Sequence, residues 1–357
     1  MHILRVSPGS SRYNVHIGPG VLGEIPGRLK RARTGKRLFM VTNPAVFELH
    51  GFKLKEELQA TGFEMGILIV PEGEEFKSLE TAGRLYTELA SQLAERSTSI
   101  LALGGGVIGD LAGFVAATYM RGMPLIQIPT TLLAQVDSSI GGKTAVNHGQ
   151  LKNQIGVFYQ PSAVFSDTSV LRTLAPGHIS NGLAEVIKSA VIGDPQLFAL
   201  LEQNMEQVLS LEQKTMDTVI VRTAGVKARI VNNDERDKGL RNILNLGHTT
   251  GHALETVTGY KINHGTAAAI GMIVAARISR RMGLFSQRDL GRLTGVVMAA
   301  GLPTSMPDIN TADVLEAVKH DKKISSGRLK FILPVGIGKV TISDRVDLEM
   351  VAQALEE

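Results

Sequence analysis

Short apolar runs rich in β-branched residues recur through the first half of the chain, and stretches of helical spacing fill the gaps. The runs are Arg37–Thr42, Met65–Val70, Ser99–Leu103, Leu125–Ile128 and Ala163–Phe165, and Ser78–Leu93 carries apolar residues at three- and four-residue intervals. Strands that alternate with helices pair in parallel, because a helix-long crossover returns the chain to the same end of the sheet. Ahead of them, Ile3–Val6 and Tyr13–Ile17 flank Pro8, Gly9 and Ser10, which predicts a hairpin at the sheet edge. From about Pro176 the helical period takes over, at Ile179–Ile192, Pro195–Leu209, Thr215–Val231, Ile243–Thr258 and Thr266–Met282. A β signal returns at Leu329–Leu333 and Val340–Ile342, before a last helix. The chain therefore predicts an α/β domain over 1–170 and a mostly helical domain over 171–357, joined between Pro161 and Pro176. Its 357 residues agree, since single cores rarely grow past about 300 residues.

Composition removes several classes of function. Cysteine is absent, which excludes disulfides, thiolate metal sites and a cysteine nucleophile, so any metal must be held by His, Asp or Glu. The N-terminal Met1-His2-Ile3-Leu4-Arg5-Val6 lacks the apolar run of a signal peptide, and no stretch approaches the roughly 20 apolar residues of a membrane span. We expect a cytoplasmic protein with no membrane partner. The net charge is only +4 and aromatics make up 4%, which leaves little on which bases could stack. The basic run of Arg28, Lys30, Arg31 and Arg33 reads as a solvated surface, and anionic small molecules fit the charge better than nucleic acid.

Three constellations carry chemistry. In Leu101–Asp110 an apolar strand runs into Gly104, Gly105 and Gly106 and then a helix. Glycine lets backbone approach a ligand closely, and a helix N-terminus offers free N–H groups to a pyrophosphate. The spacing is not the usual dinucleotide fingerprint, and Asp110 either caps the helix or holds part of a cofactor, capping being the simpler role. The second is the polar run Pro129–Asn147, followed by Lys152 and Asn153. It leaves the carboxyl end of a strand, where open α/β sheets bind ligands, and its hydroxyls, amides and lysines suit a phosphorylated, hydroxylated substrate as well as an ordinary loop. The third is His248-Thr249-Thr250-Gly251-His252, whose imidazoles share a helix face although its glycine and threonines are poor helix formers. Glu185, with Lys188 on its own face, joins His248 and His264 to make two imidazoles and a carboxylate, a ligand set for catalytic zinc with one position open. His252 then faces the cavity without binding metal.

Together these residues resemble the 3-dehydroquinate synthase family. The likeness runs through Pro71–Lys77, Gly104–Asp110, Pro129–Asn147, Gly182–Lys188, Lys238–Glu255, Asn263-His264-Gly265 and Asp321-Lys322-Lys323, in order over nearly the whole chain. It implies a Rossmann-like NAD-binding α/β domain, a mostly α-helical metal-binding domain and a homodimer. It assigns one divalent metal, Zn or Co, to Glu185, His248 and His264. It places NAD against Glu72, Gly73, Glu74, Glu75, Phe76 and Lys77, against Gly105, Gly106, Val107, Ile108, Gly109 and Asp110, and against Thr130, Thr131, Lys143 and Lys152. Val170, Leu171, Arg172 and Thr173 complete that set. Around the substrate it puts Asp137, Lys143, Lys152, Asn153, Lys188, Lys227, Arg241, Asn245, His252 and one lysine of the Lys322-Lys323 pair, here taken as Lys323. Arg121 is implied to reach the neighbouring subunit's site.

The implied reaction converts 3-deoxy-D-arabino-heptulosonate 7-phosphate to 3-dehydroquinate and phosphate. A ring hydroxyl is oxidised transiently by NAD with the metal as Lewis acid, phosphate is eliminated, and re-reduction, ring opening and an intramolecular aldol closure follow. Lys143, Lys152, Asn153 and Arg121 suit the phosphate, and Arg241 and Lys227 the carboxylate. Asp237, where Glu is usual, and His178-Ile179-Ser180-Asn181 depart from the family pattern. A sister sugar phosphate cyclase is disfavoured by Arg241, Asn245 and His252. A metal-dependent NAD polyol dehydrogenase is disfavoured by the match through Pro129–Asn147. A non-catalytic binding protein needs neither a cofactor turn nor a ligand set.

Overall fold

The computed structural model describes all residues of the chain apart from Arg33, Gln150, Asp321, Lys322, Lys323, Ser326 and Gly327. It divides into two compact units, Met1–Ala175 with Met216–Arg236, and Pro176–Thr215 with Asp237–Glu357. The first unit's long N-terminal stretch ends at Ala175. The helix Gln213–Asn233, however, was expected in the second domain, and its residues from Met216 onward belong to the first unit. The reason is side-chain pairing: Asp217 bonds Thr168, and Lys227 reaches Asp137.

The first unit is built on strands β1 (His2–Val6), β2 (Tyr13–Gly18), β3 (Arg37–Thr42), β4 (Glu64–Ile69), β5 (Ser99–Gly104), β6 (Leu125–Pro129) and β9 (Ala163–Asp167). They form one seven-stranded sheet in the order β1-β2-β9-β6-β5-β3-β4. Every neighbouring pair is parallel except the edge hairpin β1–β2. A parallel sheet is covered on both faces, which is why the inner strands read as continuous apolar runs. In β3, Phe39 and Val41 enter one core with Leu85 and Leu111, while Leu38 and Met40 enter the opposite core with Ile25 and Leu54. The chain places β4 on one side of β3 and β5 on the other, so the switch of direction lies between β3 and β5. The glycine turn leaves β5 at that switch, where open sheets hold ligands.

The polar run after β6 is not an open loop. Ala134–Ser138 forms a wide helical turn, and β7 (Lys143–His148) pairs antiparallel with β8 (Leu151–Phe158). Polar side chains on β7 and β8 hid that hairpin from a reading based on apolar runs.

The second unit is helical, with a two-stranded hairpin of Phe331–Gly336 and Lys339–Ser343. The helix His264–Arg281 is buried on nearly every side and forms its centre. The single helix predicted over Ile243–Thr258 is instead a short 3₁₀ segment, Leu240–Asn245, followed by the α-helix His248–Val257. Gly247, at φ 80°, turns the chain between them in the left-handed region. A Cβ on Gly271 would lie 1.9 Å from the Gly247 carbonyl oxygen, and one on Gly251 3.0 Å from that of Ala267. Those glycines look wrong for helix propensity because they serve backbone contact between His248–Val257 and His264–Arg281. Among the described residues, no helix is long and apolar enough to cross a membrane.

Candidate metal and cofactor sites

Glu185, His248 and His264 come together within the second unit. Glu185 lies on the helix Pro176–Gly193 and is 1% exposed, while His248 and His264 are the first residues of their helices. The Asn263 side chain caps the His264 helix by accepting the Thr266 N–H at 2.8 Å. The Gly265 N–H donates to Asn181 Oδ1 at 2.6 Å, which ties that helix start to the helix of Glu185. Asn181 thus braces the site.

Glu185 Oε1 lies 3.2 Å from His264 Nε2 and 3.6 Å from His248 Nε2, and one donor atom from each of the three residues falls within 4.8 Å of the others. Ligands bonded tetrahedrally to zinc at about 2.1 Å stand roughly 3.4 Å apart, so this set fits a divalent ion. His248 Nδ1 donates to the Leu246 carbonyl at 3.1 Å, which directs Nε2 toward Glu185. His252 is exposed and outside the trio; its ring meets that of His248 edge-on at 5.3 Å.

The charges are strongly coupled. Burial drives the Glu185 carboxyl upward, but the buried Lys188 ammonium against its other oxygen and His264 bring it down to about 2. Burial pulls His264 downward, and bonding to Glu185 and Glu255 overrides that to hold it at about 9. In the metal-free protein, the His264 contribution to stability is full below pH 6.5 and fades as pH rises through about 9. A metal must take that proton's place. Binding zinc at pH 7 should release about one proton, and apparent affinity should rise about tenfold per pH unit up to that range. Calorimetry in buffers of different ionisation enthalpy checks this; proton-neutral binding would contradict it.

Arg241 is buried at 2% exposure, and Asn245 ends the 3₁₀ segment before Gly247. Lys323 lies outside the described residues.

In the first unit, the helix Gly106–Thr118 starts at Gly105 with no side-chain cap. Its first N–H groups therefore remain open at the sheet's switch point. Val107, Ile108 and Gly109 form its first turn. Beyond β6, the buried Thr130 Oγ1 has no protein partner among the described residues, and Thr131 accepts the Ala134 N–H. An uncapped helix start beside an orphaned hydroxyl fits a dinucleotide. Asp110 does not cap that helix. Lying a turn in, it accepts from the Lys77 ammonium at 2.6 Å, and Lys77 also donates to Asn153 Oδ1 at 2.5 Å. Burial raises the Asp110 carboxyl and Lys77 opposes that rise.

Asn147 donates to Glu74 Oε1 at 2.9 Å and accepts the Asn153 N–H, so the hairpin β7–β8 is pinned to Glu74–Phe76, which Gly73 precedes at φ 130°. Glu72 precedes Gly73, Glu75 is the middle residue of the turn, and both are exposed. Lys227, 6% exposed, donates to the Asp137 carbonyl and carboxylate at 2.7 and 2.6 Å. Lys143 opens β7, and Lys152 is the second residue of β8. In the 3₁₀ segment Thr168–Thr173, Val170 and Leu171 are buried, Arg172 and Thr173 are exposed, and Thr173 Oγ1 meets His50 Nε2 at 3.2 Å. Arg121 is exposed on a turn where Met120, Arg121 and Gly122 all have positive φ.

Fold and donor set together define a class that joins a dinucleotide-type α/β unit to a helical metal unit. A glycerol dehydrogenase from Schizosaccharomyces pombe shares this fold, with a TM-score of 0.70 over 96% of this chain and 87% of its own at 15% identity. A 2-deoxy-scyllo-inosose synthase solved with carbaglucose-6-phosphate, NAD+ and Co2+ is nearer, with a TM-score of 0.90, 28% identity and 99% of each chain covered. A 2-epi-5-epi-valiolone synthase from Streptomyces hygroscopicus, with NAD+ and Zn2+ bound, also scores 0.90 at 28% identity, covering 98% of this chain and 97% of its own. The 3-dehydroquinate synthase N-terminal model matches residues 67–181 and the C-terminal model residues 182–324. A 3-dehydroquinate synthase from Dehalococcoides mccartyi (strain CBDB1) is 48% identical over 97% of this chain and 96% of its own length. One from Desulforamulus reducens is 45% identical over 96% of each. The chain belongs to the 3-dehydroquinate synthase family.

Proposed function

We infer that this chain carries out the reaction of its family, turning 3-deoxy-D-arabino-heptulosonate 7-phosphate into 3-dehydroquinate and phosphate. The observation that carries this is the clustering of Glu185, His248 and His264 in a chain 48% identical to a 3-dehydroquinate synthase over 97% of its length. Bound NAD supplies reversible hydride removal, and a divalent metal, zinc or cobalt, supplies Lewis-acid polarisation of the reacting hydroxyl.

The protein's part is to hold and orient. Glu185, His248 and His264 are the metal ligands, and Lys188 sets the charge on Glu185. Gly105 and Gly106, with the open helix N–H groups behind them, receive the pyrophosphate. Glu74, Lys77, Asp110, Thr130, Thr131 and Thr173, with their neighbours in the same turns, fix the rest of the dinucleotide. Lys143, Lys152 and Asn153 offer donors to the substrate phosphate, and Asn153 is already held in place by Lys77. Lys227 and Arg241 serve the carboxylate, while Asp137, Asn245 and His252 orient the hydroxylated ring. Lys323 joins them on the strength of the family resemblance alone. Fixing a reactive substrate in this way supplies much of the rate. The enzyme acts in the cytoplasm as a homodimer, and Arg121 reaches the partner's substrate phosphate; its exposure on a strained turn supports that role. Mixed dimers of Arg121→Ala and Lys152→Ala subunits should regain activity through their one intact site. No regain in verified heterodimers would place Arg121 in its own subunit's chemistry or in none.

Cofactor stoichiometry tests the reaction itself. With the metal loaded and only a trace of NAD, the enzyme should release one phosphate per substrate over many turnovers while free NADH stays flat. A polyol dehydrogenase would build up NADH in step with product and liberate no phosphate. That second outcome would overturn the assignment.

A further inference from the structure

The imidazole of His264 lies between two carboxylates. Its Nε2 faces Glu185 at 3.2 Å, and its Nδ1 faces Glu255 Oε2 at 3.7 Å. Glu255 is 5% exposed and sits two turns after His248 on the same helix, His248–Val257. A solvated helix position has no reason to bury a carboxylate, and burying one without a partner is costly.

We propose that Glu255 is a positioning residue for the metal, orienting His264 through Nδ1 so that Nε2 is presented to the ion. The proposal rests on the reading of Glu185, His248 and His264 as ligands. A neutral imidazole carries one N–H, and a metal needs the other nitrogen bare. A carboxylate beside Nδ1 holds the hydrogen there and leaves the Nε2 lone pair free. The second imidazole is arranged alike, since His248 Nδ1 donates to the Leu246 carbonyl at 3.1 Å. His248 is thus oriented by a neutral backbone acceptor and His264 by a charge. At 3.7 Å the contact is longer than a hydrogen bond, so the carboxylate acts through its charge, which favours the N–H on the nearer nitrogen and fixes the ring's orientation.

Zinc affinity by chelator competition, on the full chain, reads the first consequence in Glu255→Gln, which keeps shape and an acceptor but removes charge. A loss of about 10- to 100-fold is expected. Glu255→Asp, one methylene short, should lose less, and it stands in if the glutamine variant does not fold. A purely structural role is separated by the cobalt-loaded protein, in which the Nδ1–H signals of both ligand imidazoles are paramagnetically shifted. In Glu255→Gln the His264 signal should move or exchange faster while that of His248 stays. Zinc affinity within twofold of wild type, with the His264 signal unmoved, would overturn the proposal. Full zinc retention by His264→Ala would instead remove the ligand reading on which it rests.

Discussion

His248→Ala and His264→Ala should each leave a protein that folds, fails to retain metal through gel filtration against a chelator, and turns over on the order of a thousandfold more slowly. Two remaining donors hold zinc poorly, because ligand count and closed geometry set the affinity. His252→Ala should behave differently. That ring is exposed and outside the trio, so the variant should keep one metal per chain while losing activity. Metal content by elemental analysis, beside phosphate release, separates the two outcomes. Equal metal loss in all three variants would show that His252 belongs to the ligand set.

Gly271→Ala is expected to have a large effect for a single added methyl group. Its Cβ would fall 1.9 Å from the Gly247 carbonyl oxygen, so His264–Arg281 and the start of His248–Val257 must separate. The contact is backbone and cannot be relieved by a side-chain rotation, so the cost should be about 3 kcal/mol, the upper end for overpacking. Because His248 directly follows Gly247, the displacement also shifts one imidazole against the other, and zinc affinity should fall with stability. Gly291→Ala supplies the control. A Cβ there meets nothing within 4 Å, so on a helix it should stabilise by up to about 1 kcal/mol. Urea unfolding of both variants gives the comparison. A Gly271→Ala protein as stable as wild type, with its metal intact, would show that the two helices can part at little cost.

Glu185 shows how far its pattern could be read. Sequence alone supplied a carboxylate among apolar residues, and that it lies within 3.2 Å of His264, 79 positions later, depends on three helices meeting. Asp110 was readable as a helix cap, and its actual partner, Lys77, lies 33 positions away in the chain. Asn181 and Glu255 left no chemical signature of their own. Each became visible as a brace for His264 only through its distances to Gly265 and His264.

What the sequence determined by itself was the kind of element at each place and the chemistry available. Period and β-branching mark buried strands and amphipathic helices, because those signals are local. The lack of cysteine restricted metal donors to nitrogen and oxygen, and the run of family motifs identified the reaction. Tertiary structure decided the rest: that Gln213–Asn233 joins the first unit for most of its length, that β7 and β8 pair across a polar face, and that Gly247 ends one helical piece and begins another. The first and third depend on contacts between residues far apart in the chain, and the hairpin on pairing between adjacent polar strands, so their energies come from shape and partner rather than from residue type. A glycine in a helix lowers local propensity wherever it stands, and only the 1.9 Å gap at Gly271 shows that the fold requires it there.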